Sequence, residues 1–141
     1  ILLLLAFGTA LANDERAHVN YMLHCQGCHL PQAEGLDGRV PPMKDFVGFF
    51  LRSDEGREFL IRVPGVAQSA LGSDELAELM NWLVLTYSAD QLPETFEPFT
   101  RIEVDRLRTD PVADPESTRE RLLADIASED PALRAELAGS H

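Results

Sequence analysis

The chain has 141 residues, 45% of them hydrophobic, and a formal net charge of −12. That length suits one domain with a modest core. The acidic excess excludes nucleic acid and an anionic membrane surface as partners; it suits a basic patch on another protein, and it also confers solubility.

Ile1 to Ala12 reads ILLLLAFGTALA. It is uncharged and ends in the small-x-small run Ala10-Leu11-Ala12, which is the apolar and cleavage portion of a secretory signal peptide. No initiator Met or basic stretch precedes it, so the sequence reads as starting inside a leader. Cleavage is expected after Ala12, with Asn13 as the mature start. Twelve residues are too few to span a bilayer as a helix, so no stable membrane span is expected after cleavage. Asp14 to Leu23 then carries Ala17 with Tyr21, and Val19 with Met22, at helical spacings.

That helix leads into Cys25-Gln26-Gly27-Cys28-His29, and no other cysteine occurs in the chain. Cys-x-x-Cys-His is the attachment signature of c-type haem. Two thiols on one helical turn match the two haem vinyl groups, and the next residue places an imidazole at the iron. The expectation is therefore one haem c, with its iron, per chain, bound through Cys25 and Cys28 with His29 as proximal ligand. Three other uses of the motif fit less well. A thioredoxin-type dithiol wants a strand-helix-strand context, and no β-rich run precedes Cys25. A zinc site would have to take its fourth ligand from His18, His24 or His141. A disulfide between residues three apart has poor geometry.

Further along, Ser53 is placed to cap a helix from Asp54 to Val63, with Pro64 beyond its end. Ser73 is placed to cap Asp74 to Tyr87, with acidic residues first and Leu76, Leu79, Met80, Leu83 and Val84 on one apolar face. Thr100-x-x-Glu103 is a capping-box pattern before a short helix to Arg108. Asp114-Pro115 and Asp130-Pro131 each pair an N-cap with proline at the first helical position, and Gly139 could close the last helix. No stretch alternates with period two, so the fold class expected is all-α. Residues 13–89 carry 11 acidic and 6 basic side chains, and residues 90–141 carry 13 and 6 in a shorter, proline-richer stretch. The organisation expected is a leader over 1–12, a haem domain over 13–89 and an acidic, partly helical extension over 90–141.

From Asp14 to Tyr87 the chain resembles the single-haem, class I-like c-type cytochromes. Tyr21, four residues before Cys25, stands where that family has a helix aromatic, and Trp82 matches the aromatic that packs against it. The resemblance implies a cytochrome c-like helical haem domain locked by that contact across the haem edge. Gly38-Arg39-Val40-Pro41-Pro42 looks like the family's proline loop. There the resemblance implies that a backbone carbonyl of this loop accepts the proximal imidazole N–H, with Pro42 as the candidate site residue, a bond that fixes ring orientation and ligand basicity.

One departure stands out. The family presents a distal methionine in a loop before the last helix, and here that loop, Val63 to Leu71, has none. Met43 is the first candidate for sixth ligand, although alignment with the proline loop keeps it on the proximal side. Met80 sits on an apolar helix face, where methionine is usually a gap-filler, and Met22 reads as core. Gln68, a histidine or an open position complete the alternatives. Arg52, Arg57 and Arg62 read as solvated, or as holding a haem propionate, with a distal role if the iron is open.

The resemblance implies periplasmic electron transfer without substrate chemistry. Electrons would come from a periplasmic dehydrogenase or quinol-oxidising complex and go to an oxidase or another cytochrome. Two other readings stand beside it: a fixed haem subunit of a larger complex, onto which the extension from Phe96 would strap unless it wraps the chain's own surface, and a ligand-binding haem protein if the sixth position is open.

Overall fold

The computed structural model describes residues 5–139, with side chains described from residue 13 onward. The leader read in Ile1–Ala12 and the terminal His141 therefore lie outside the residues whose side chains are described. The fold is all-α, and the only pairing of β type described is an isolated antiparallel bridge between Leu36 and Val40. No described helix is long and apolar enough to cross a membrane.

Helix α1 spans Leu5–His24 and α2 Gln26–His29. A loop and a 3-10 turn, Val47–Arg52, lead to α3, Asp54–Arg62. Ser53 caps α3 as expected, its hydroxyl accepting from the Gly56 N–H at 3.0 Å. The helix stops one residue short of Val63, which precedes Pro64 and is extended at ψ 136°; the proline ring crowds a helical conformation there. Pro64 instead opens the short α4, Pro64–Ala67.

Helix α5 spans Ser73–Tyr87 and buries the five residues of its expected apolar face. Its N-cap is Gly72 rather than Ser73. The Ser73 hydroxyl is turned outward and donates to Asp105 at 2.9 Å, while Glu75 accepts the Gly72 N–H at 3.2 Å. Three helices follow: α6 at Arg101–Leu107, α7 at Pro115–Glu129 and α8 at Pro131–Gly139. Thr100 and Glu103 close the capping box, and Asp114 and Asp130 cap the proline-led helices.

One hydrophobic core runs through the whole arrangement, from Tyr21 on α1 to Leu133 on α8. Its centre is aromatic: Phe50 stacks on Phe59 at 5.4 Å, and Phe46 meets Phe49 edge-on at 5.9 Å. Residues 90–139 wrap this core rather than leaving it. Phe99 is 3% exposed, and Asn81 holds its backbone from both sides, at 2.9 and 2.7 Å. Leu122, Leu123, Ile126 and Leu133 are buried on α7 and α8.

Candidate haem-attachment site

The motif continues α1 with a single break. The Cys25 N–H donates to the Tyr21 carbonyl at 2.9 Å, and Cys28 and His29 both donate to the Cys25 carbonyl, at 3.2 and 3.0 Å. This puts the two sulfurs and the imidazole on one turn. Both cysteines are free; Cys25 is half-buried and Cys28 exposed. Burial, reinforced by Cys28, pushes the Cys25 thiol up to about 11.

His29 Nδ1 is buried and has no partner in hydrogen-bonding geometry. Burial lowers the ring's pKa and the approach of the Pro41 carbonyl partly offsets it, so the imidazole is held neutral, the state that ligates a metal. The carbonyl that approaches the ring is therefore that of Pro41, one residue before the expected Pro42. The loop carrying it is closed by Leu36 and Val40, which exchange backbone bonds of 2.9 and 2.8 Å. Gly35 sits beneath it at φ +70°, where a side chain would collide with the Val40 carbonyl. Two free thiols and a neutral imidazole, buried on the Nδ1 side, fit a covalently held haem: the sulfurs could take its vinyl groups and the imidazole its iron.

Tyr21 and Trp82 do meet, with ring centroids 5.7 Å apart. The sequence reading missed that Tyr87 joins them, at 5.4 Å from Tyr21 and 5.6 Å from Trp82, and that His18 stacks on Trp82 at 5.3 Å. Tyr87 is the last residue of α5, and its aromatic character was the available signal. Met80 is 4% exposed in the core, whereas Met22, expected in the core, is 44% exposed on α1. Met43 is half-buried, and its N–H donates to the Ala33 carbonyl at 2.9 Å, which ties it to the loop following His29.

The three arginines are partly exposed, each is paired, and none lies at the motif. Arg57 makes a two-pronged pair with Glu103 at 2.6 and 2.8 Å, and Arg62 holds Asp110 at 2.7 Å. Arg52 pairs with Asp130 and donates to the Gln91 carbonyl at 2.8 Å. All three grip residues 90–139. A cleft of about 380 Å³ beside Arg52, lined also by Glu55, Leu122 and Asp125, includes no motif residue.

No family model matches the chain. It is similar to a cytochrome c-552 of Thermus thermophilus, at 31% identity over 123 aligned residues that take in 74% of this chain and 82% of that protein. A second cytochrome c-552 of Thermus thermophilus is 30% identical over 102 residues, 60% of this chain and 78% of its own. Likeness over that much of both chains places this protein in the c-type cytochromes, all-α electron carriers that bind haem c covalently.

Proposed function

We propose that Cys25 and Cys28 hold one haem c as thioethers, that His29 is the proximal ligand of its iron, and that the protein is a diffusing, periplasmic electron carrier. The observation that carries this reading is the His29 ring, neutral, orphaned at its buried Nδ1 and fixed on one turn with two free thiols. The haem supplies a one-electron couple. This chain's residues attach it, ligate it and seal its surroundings with the Tyr21, Trp82 and Tyr87 rings. Residues 13–89 carry the group, and residues 90–139 act as a strap around that part.

Met43 is proposed as sixth ligand because Met80 is locked in the core and Met22 faces outward on α1. Its N–H bond to the Ala33 carbonyl holds its backbone in the loop that follows His29, and its thioether would be the group offered to the iron. Optical spectra of the haem-loaded protein test this. Low-spin bands with the weak far-red band of iron–methionine ligation, lost in Met43→Leu, support it. A low-spin spectrum unchanged by that substitution excludes Met43, and a high-spin spectrum moves the ligand-binding reading forward.

Burial of the strap on its own chain supports a free carrier over a fixed subunit of a larger complex; co-purification of a stoichiometric large partner would reverse that. Many of the arginines pair internally with acids of the same chain, so the acidic excess is left for the surface. It suits a basic docking patch on a periplasmic dehydrogenase or quinol-oxidising complex as donor, and on an oxidase or another cytochrome as acceptor. Electron exchange with a basic partner should then slow as salt rises.

A further inference from the structure

We propose that the hydroxyls of Tyr21 and Tyr87 are positioning groups for His29: they hold the carbonyls of Leu30 and Pro31, the two residues after it, and so set the orientation of the imidazole. This rests on the reading of His29 as iron ligand and assigns the two phenols a role beyond packing.

The Tyr21 hydroxyl donates to the Leu30 carbonyl at 2.6 Å and the Tyr87 hydroxyl to the Pro31 carbonyl at 3.0 Å. The backbone they hold is under constraint. Leu30 sits at φ +65°, a left-handed conformation that an L side chain keeps only where its surroundings impose it. Its own N–H donates to Gln26 at 2.8 Å, and its carbonyl also accepts from Ala33 at 3.2 Å. The turn after His29 is thus pinned at both ends, and a phenol closes each of its first two carbonyls.

The two hydroxyls arrive from different helices. Tyr21 lies one turn before Cys25 on α1 and is fully buried, and Tyr87 ends α5. Their rings touch at 5.4 Å. The Tyr87 carbonyl accepts the Asp45 N–H at 2.7 Å, which fastens the same residue to the loop beyond Met43. Phenylalanine would fill both ring sites equally well, so packing does not account for the hydroxyls. Burial raises both phenols, Tyr21 to about 12, so each remains a protonated donor at neutral pH.

The test uses the full-length, haem-loaded protein and its Tyr21→Phe, Tyr87→Phe and doubly substituted variants. Haem-methyl resonances of the ferric form report the imidazole plane, and the midpoint potential reports ligand strength. Leu122→Ala, in the strap, serves as a control that lowers stability without touching this turn. Both readouts should move in each single variant and move further in the double one, while the control lowers the thermal midpoint and leaves them in place. Wild-type resonances and potential in Tyr87→Phe and Tyr21→Phe, with only the thermal midpoint lowered, would overturn the proposal. His29→Ala separates the two failures: if it leaves the spectrum unchanged, the ligand reading itself falls.

Discussion

Cys25 and Cys28 are three residues apart yet chemically unlike. The thiolate is the nucleophile, and burial raises the Cys25 thiol to about 11 while Cys28 is exposed. In haem-free protein at pH 8, iodoacetamide should therefore alkylate Cys28 first. Cys25 should speed up about tenfold per pH unit until pH approaches its own value. Peptide mass spectrometry over a time course reads this, and equal rates at pH 8 would contradict it. In the intact protein, Cys25→Ala with Cys28→Ala should abolish haem that survives a denaturing gel. His29→Ala should keep the haem attached and change its spin state, because the thioethers do not depend on the imidazole.

At the scale of elements, the residue that caps the end of α6 holds the end of α4 and the turn leading to α5. Arg108 donates to the carbonyls of Ala67, Ser69 and Leu71, at 3.1, 2.5 and 2.8 Å. Ala67 ends α4, and Ser69 and Leu71 lie between α4 and α5, where no helix supplies the carbonyls' partners. Arg108→Ala should cost about 2–3 kcal/mol, since partly buried carbonyls lose a charged donor. Urea denaturation measures it, and a change below about 0.5 kcal/mol would show that water replaces the guanidinium. The ends of these elements were readable beforehand because a cap needs only residues within one turn. The Ser53, Thr100, Asp114 and Asp130 caps form where expected, each closing a bond two or three residues on. Ser73 is instead the first residue of α5, after the Gly72 cap, and its hydroxyl donates to Asp105, 32 residues away, a partner that no local pattern carries.

At the scale of the molecule, the strap is fastened by charge as well as by apolar burial. Glu103 is held below the usual 4.5, first by its hydrogen bond from Arg57, against a smaller opposing effect of burial. Glu55 is lowered in the same way by Arg121 on α7. A lowered folded value means each contribution is complete above about 4.5 and is lost as pH falls through the lower folded value. The thermal midpoint should therefore drop on acidification below about pH 4.5. The drop should be shallower in Glu103→Gln, whose starting stability is already reduced; an identical slope would show that this pair does not couple the strap to pH.

What the sequence determined by itself was whatever is local: the all-α class from its 3.6-residue periodicity, the caps, and the crowding of two thiols and an imidazole onto one turn. Tertiary structure alone decided where long side chains go. Arg52, Arg57 and Arg62 looked like surface or haem-side cations, and each closes on a partner 46 to 78 residues away. The same holds for Tyr87 and His18 joining the Trp82 cluster, and for the wrapping of residues 90–139 around the core. Periodicity reports which face of an element is apolar, not which distant element covers it. That choice belongs to packing, where Phe99, Leu122 and Leu133 find a common interior with Tyr21 and Phe50.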